Sequence, residues 1–355
     1  MRPGVSVLGE RREHHMSGPE VCHELWLDRA PRALGYRPDR DLGGWRAEVK
    51  ETLTGLLGLM PDRVPLEVTV EWEEQQADHL ERRFSFAAEE GARVPCHLLI
   101  PRRGDGPHPV MICLQGHSTG MHISLGRAKY PGDEQSIAGG RDFGLQAVRQ
   151  GYAALVMEQR SFGERRDQRP DKVVSLGRGC HHASMVALML GRTLVGERVW
   201  DVSRAIDALA RFGEVDSSRV ACMGNSGGGT TTFFAACMEE RLCAAMPSCY
   251  VCTFRHSLAS IDHCACNYVP GILNHFEMGD LAVLIAPRPL VVVAGREDPI
   301  FPLEGVHETF ATIQAIYDRY GAGDRCRLVI GEGGHRFYPE LGWPAFEDLT
   351  QGIMR

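Results

Sequence analysis

The stretch Val220-Ala221-Cys222-Met223-Gly224-Asn225-Ser226-Gly227-Gly228-Gly229-Thr230-Thr231-Thr232-Phe233-Phe234-Ala235 decides the fold. A strand-length apolar run enters G-x-S-x-G and leaves as a helix-length segment. A chain that turns from strand to helix around one serine strains that residue, and small neighbours keep the turn clear of the sheet. The hydroxyl then sits at a helix N-terminus, whose unpaired N–H groups favour a developing anion. Ser226 therefore reads as a nucleophile.

Outward from this motif the same strand-then-helix rhythm repeats. Residues 110–114, 152–157, 243–247, 290–294 and 327–330 are buried-type strands. Residues 143–150, 181–212 (in two pieces, broken near Gly191), 227–240, 303–320 and 344–353 suit helices. Upstream, 66–73 alternates apolar and polar as a half-exposed strand does, and 80–101 reads as two antiparallel strands before a turn at 102–107. Leu53, Leu56, Leu57 and Met60 share one helix face. The pattern predicts an α/β fold: a mostly parallel central sheet of about eight strands, helices on both faces, and an inserted cap region near 249–283. Residues 1–40 read as an N-terminal extension, partly flexible, with 1–15 a tail ahead of a second start at Met16. Residues 41–355 read as a single domain.

Ligands of such sheets bind beyond the C-terminal ends of the strands. A serine needs a histidine to take its proton, and in this architecture an acid and then a histidine follow later strands. Leu290-Val291-Val292-Val293-Ala294-Gly295-Arg296-Glu297-Asp298-Pro299 supplies Asp298, with Glu297 the rival acid. Leu328-Val329-Ile330-Gly331-Glu332-Gly333-Gly334-His335 supplies His335. Two N–H donors should face the oxyanion: Gly227, after the nucleophile, and His117, in Gln115-Gly116-His117 beyond the first parallel strand.

These residues resemble the α/β-hydrolase superfamily over roughly residues 65–350. More narrowly the chain is similar to acetylxylan-esterase-like and dienelactone-hydrolase-like carboxylesterases. Glu158-Gln159-Arg160-Ser161-Phe162-Gly163-Glu164, the helix from Gly196 to Asp207 and His263-Cys264-Ala265-Cys266-Asn267-Tyr268-Val269-Pro270-Gly271 add to the likeness. The resemblance implies cofactor-free hydrolysis of a small-molecule ester, with short acyl groups preferred. A serine peptidase or a lactone hydrolase would use the same triad, and a binding module could keep the fold without the reaction. Gln115, Arg255 and Tyr268 are taken as substrate contacts. Glu158, Arg160, Asp201 and Arg204 read as carboxylate–guanidinium pairs that fix a loop on a helix.

Composition narrows the rest. The 355 residues are 43% hydrophobic and 24% charged, with mean hydropathy −0.20. A net charge of −7 argues against a nucleic-acid partner. No apolar run approaches the ~18 residues that span a bilayer, so no membrane association is expected. Residues 1–24 lack the apolar core of a signal peptide, so a cytoplasmic protein with reduced thiols is expected. Homo-oligomer formation is left open. Cys249-x-x-Cys252 followed by Cys264-x-Cys266 lacks the repeated knuckle of a zinc ribbon, and the expectation is buried thiols without a metal.

Overall fold

Successive residues of the central strands face opposite helix layers. In a computed structural model, which describes residues 18–166 and 179–354, Val110, Ile112 and Leu114 enter one hydrophobic cluster, while Met111 and Cys113 enter another. Leu290, Val292 and Ala294 divide from Val291 and Val293 in the same way. A sheet apolar on both faces must be covered on both.

The strands are β1 (Thr69–Gln75), β2 (His79–Glu89), β3 (Ala92–Pro101), β4 (His108–Leu114), β5 (Ala153–Met157), β6 (Val215–Asn225), β7 (Leu242–Ser248), β8 (Leu290–Gly295) and β9 (Cys326–Gly331). They form one nine-stranded sheet, against the expected eight or so, in the order β1-β2-β3-β5-β4-β6-β7-β8-β9. β1, β2 and β3 pair antiparallel, and β3 meets β5 antiparallel. From β5 to β9 all pairs are parallel. Every residue of the edge strand β1 is exposed.

The helices are α1 (Pro19–Asp28), α2 (Leu42–Leu57), α3 (Phe143–Arg149), α4 (Gly179–Met189), α5 (Leu194–Leu209), α6 (Gly227–Met238), α7 (Leu303–Arg319) and α8 (Pro339–Leu349), with shorter turns between them. α2, α5, α6 and α7 feed the larger cluster; α3 and α8 cover the other face. Asp41 caps α2 by accepting the Gly44 N–H at 2.7 Å, and Thr193 caps α5 through Gly196 at 3.0 Å. Gly191, at φ 69°, separates α4 from α5 where the sequence placed the break. α8 starts at Pro339, ahead of the expected 344. Proline is favoured at the first position of a helix, where Pro339 stands, while Pro344 lies inside the helix. Among the described residues no helix is long and apolar enough to cross a membrane.

The segment 249–283 is less of a separate cap than expected. Cys249 to Cys252, Phe254, Phe276, Met278 and Leu281 belong to the main core. The exposed residues lie between these two buried ends. The N-terminal extension docks here: Ala33 N–H donates to Asn274 O at 3.0 Å, Leu34 N–H to His275 O at 2.7 Å, and Tyr36 N–H to Asp280 Oδ1 at 2.8 Å. Residues 1–17 of that extension lie outside the described residues.

Candidate active site

Ser226 stands between β6 and α6 with φ 57° and ψ −121°, a conformation that costs a non-glycine residue on the order of 1–3 kcal/mol. The surrounding contacts impose it. Ser226 N–H donates to Ser248 O at 2.9 Å, at the end of β7, and Ser226 O accepts Thr230 N–H at 2.8 Å to open α6. The turn also needs glycine at 228, where a Cβ would lie 2.1 Å from Leu114 O.

Further backbone bonds link the strand ends that carry the other two residues. Cys249 N–H donates to Val293 O, Arg296 N–H to Gly331 O at 2.8 Å, and Glu297 N–H to Gly333 O at 2.9 Å. The last two tie the Asp298 turn to the His335 loop. His335 Nδ1–H donates to Asp298 Oδ2 at 2.8 Å, which leaves Nε2 as the acceptor. Asp298 is buried, and its Oδ1 accepts Ile300 N–H at 2.9 Å and Phe301 N–H at 3.3 Å. Glu297 is exposed, so Asp298 is the acid that meets the imidazole. The Phe301 ring stacks on His335 at 5.7 Å.

The loop after β4 lies against Ser226. A Cβ on Gly116 would be 2.6 Å from Asn225 O, 2.9 Å from Ser226 Cβ and 3.4 Å from Gly227 N, so this approach requires glycine. The loop carries His117 to the first turn of α6: a Cβ on Gly227 would meet the His117 ring at 3.0 Å and Phe162 at 3.4 Å. Gln115, expected to contact substrate, is buried with its amide nitrogen already engaged. Its Nε2 donates inward to Ser124 Oγ at 2.6 Å and Arg141 O at 2.7 Å, while its carbonyl accepts from Gln159 Nε2. Gln159 also accepts Thr231 Oγ1–H at 2.6 Å, which ties the loop to α6.

The segment after β5 is fixed largely as the sequence suggested. Arg160 forks onto Asp201 of α5 at 2.9 and 2.8 Å, and Arg165 joins it at 2.6 Å. Burial alone would raise the Asp201 pKa, but Arg165 and Arg160 outweigh it and hold the carboxyl below its ordinary value. Two of the four grouped residues differ. Arg204 pairs with Asp207 at 2.6 Å, and Glu158 binds backbone amides instead of a guanidinium: its Oε2 accepts Met121 N–H at 3.1 Å and Glu164 N–H at 3.2 Å.

Arg255 also departs from the expected substrate role. It pairs with Asp28 at 2.5 Å and Glu24 at 3.0 Å, because α1 lies along the segment the sequence had treated as cap. Tyr268 does line a cavity of about 520 Å³, together with His117, His181, Asp262, His263 and Cys264. Its hydroxyl donates to Leu258 O at 2.8 Å.

The sequence assigns His263 and Asn267 no role of their own. Thr230 Oγ1–H donates to Asn267 Oδ1 at 2.7 Å, and Asn267 Nδ2 donates to His263 Nδ1 at 2.8 Å. This runs from the first turn of α6 to the cavity. His263 Nε2 is buried without a partner, and burial chiefly holds the imidazole pKa down at about 4. Nothing in the local sequence marks the pair, since it forms only when the 263–268 segment folds over α6.

The cysteines regroup. Cys249 Sγ donates to Arg336 O at 3.2 Å and Cys252 Sγ to Pro302 O at 3.7 Å, away from Cys264 and Cys266. Cys249 adjoins the Asp298–His335 pair, and burial pushes its thiol pKa well up, which disfavours a thiolate there. Cys264 and Cys266 instead meet Cys180 and His117.

Comparison with known proteins places the chain in a family. The Abhydrolase_7 family model, described as an Abhydrolase family, matches residues 6–315. "Putative hydrolase YtaP" of Bacillus subtilis (strain 168) is 25% identical over 300 residues, covering 82% of this chain and 94% of its own. Among solved structures, a "putative acetyl xylan esterase" from Bacteroides fragilis NCTC 9343 superposes with a TM-score of 0.73 at 14% identity, covering 92% of this chain and 84% of its own. A glucuronoyl esterase from Solibacter usitatus gives 0.69 at 16%, covering 92% and 97%. At such identities the structural likeness carries the fold. The family match spans most of the chain and includes Ser226 and Asp298, though it ends before His335; with the nine-stranded sheet and its serine turn, it shows that the chain belongs to the Abhydrolase family of α/β-hydrolases.

Proposed function

We propose that the chain is a serine carboxylester hydrolase that cleaves small, acetyl-like esters through an acyl-enzyme. The observation that carries this reading is the 2.8 Å His335–Asp298 bond, at strand ends joined by backbone bonds to the strained Ser226 turn. Ser226 Oγ attacks the ester carbonyl while His335 Nε2 takes its proton. Asp298 holds the Nδ1–H and stabilises the imidazolium. The backbone N–H groups of Gly227 and His117 receive the oxyanion. Collapse expels the alcohol, which takes its proton from His335. A water deprotonated by His335 then attacks the acyl carbonyl, releasing the acid and restoring Ser226.

Two observations support an ester of modest size. Proteins of this fold among the structural neighbours are named as acetyl xylan and glucuronoyl esterases. The His117 and Phe162 rings also lie close over Gly227, where an added Cβ would meet them at 3.0 and 3.4 Å, which supports a confined acyl side. Extra methylenes in a closed pocket cost about 1–3 kcal/mol, roughly 10- to 200-fold in specificity. The test is kcat/KM across p-nitrophenyl esters from two to twelve acyl carbons, on the order of a tenfold advantage being expected for the short end. A maximum at eight carbons or more would refute the small pocket. Turnover of dipeptide amides without any ester would replace the esterase by a peptidase.

A further inference from the structure

Four soft or borderline donors converge beside the oxyanion loop from three separated parts of the chain. His117 follows β4, Cys180 lies in the first turn of α4, and Cys264 and Cys266 flank one alanine in the 263–268 segment. Their ligand atoms all lie within 4.8 Å of one another. His117 Nε2 is 3.2 Å from Cys266 Sγ, and the Cys264 and Cys266 sulfurs are 3.3 Å apart. A tetrahedral zinc ion, with Zn–S about 2.3 Å and Zn–N about 2.0–2.1 Å, sets its ligand atoms roughly 3.5–3.8 Å apart. A disulfide would need about 2.05 Å between sulfurs.

Charge points the same way. Arg198 of α5 is buried, and among the described residues no carboxylate pairs with it. Its Nη2 donates to Cys180 Sγ at 3.4 Å and to Arg160 O at 2.9 Å, its Nη1 has no hydrogen-bond partner, and its guanidinium lies over the Phe162 ring at 4.3 Å. A buried cation calls for negative charge close to it. Three thiolates and a neutral imidazole around a divalent ion carry one net negative charge, which this guanidinium balances.

We propose that His117, Cys180, Cys264 and Cys266 form a closed Cys3His site for a zinc-class ion, with Arg198 as its counter-charge. Sulfur-rich tetrahedral donor sets select zinc over harder cations. With all four positions filled by protein, the ion is structural: it clamps the loop after β4, the start of α4 and the 263–268 segment to one another. The expectation of metal-free thiols drawn from the mixed C-x-x-C and C-x-C spacing gives way to this site, since only Cys264 and Cys266 of that set belong to it.

The test is metal analysis of the full chain, purified under reducing conditions without chelator from zinc-replete medium. About one zinc per chain is expected, falling at least tenfold in Cys180→Ala and Cys266→Ala and unchanged in Cys252→Ala. Should the ligand variants fail to fold, wild-type protein stripped of metal is titrated with cobalt(II), and thiolate-to-cobalt charge-transfer absorbance should saturate at about one equivalent. Wild-type protein that holds no zinc and takes up neither ion would overturn the proposal. So would a disulfide among Cys180, Cys264 and Cys266 in the protein as isolated, or full zinc content in both ligand variants. None of these readouts uses esterase activity, so the site stands or falls apart from the proposed reaction.

Discussion

Glu158 Oε2 accepts the Met121 backbone N–H at 3.1 Å, joining the end of β5 to the segment that follows the His117 loop. The oxygen that serves both Met121 and Glu164 can do so while the other carries a proton. Burial favours that neutral form and lifts the pKa from 4.5 to about 7. The folded state thus holds the proton more tightly than the unfolded chain. The stability this confers is complete below about pH 4.5 and is lost as pH rises through about 7.

Glu158→Gln keeps the acceptor and cannot ionise. Relative to wild type, the variant should gain about 1–3 kcal/mol between pH 5 and 8, read from urea unfolding at each pH. Parallel pH profiles would remove Glu158 as the source.

Ser226→Ala should lower kcat by on the order of 10⁴ or more with folding retained, because triad members act as a unit. A sulfonyl fluoride should label Ser226 in wild type, as peptide mass analysis would show. Labelling at another residue, or near-normal turnover by the variant, would discard Ser226 as nucleophile.

Asp298→Asn should be worse than Glu297→Gln by on the order of 10²-fold or more in kcat/KM, since only the group bonded to His335 Nδ1 fixes the imidazole tautomer. Steady-state kinetics of the two variants side by side decides the matter, and the opposite ranking would move the role to Glu297.

Gly116→Ala should destabilise the protein by about 1–3 kcal/mol and depress kcat, because the new methyl would displace either Asn225 O or Ser226 Cβ. Gly139→Ala is the companion, as nothing lies within 4 Å of its added Cβ. Thermal melts and ester turnover of both should separate them; equal behaviour would show that the loop has slack.

The Asp298–His335 contact was legible because a parallel sheet gathers its strand ends along one edge, and Ser226, Asp298 and His335 each follow a recognisable strand. What escaped the sequence depends on how distant segments meet. Arg255 looked free in a cap until α1 supplied Glu24 and Asp28. Gln115 sits in the loop after β4 but turns its amide inward, and a sequence does not state which way a loop side chain points. Cys180 lies far along the chain from Cys264, so no ligand spacing could connect them.

The wholly exposed strand β1 limits how copies of this molecule can meet. Glu71, Glu73 and Glu74 crowd this rim of the sheet, with Arg83 and Arg82 of β2 engaging the first two from within. A strand from a second copy arriving here would bring the same three carboxylates against them and find the nearest arginines engaged. Carboxylates along an exposed edge strand disfavour continuation of the sheet from one molecule into the next.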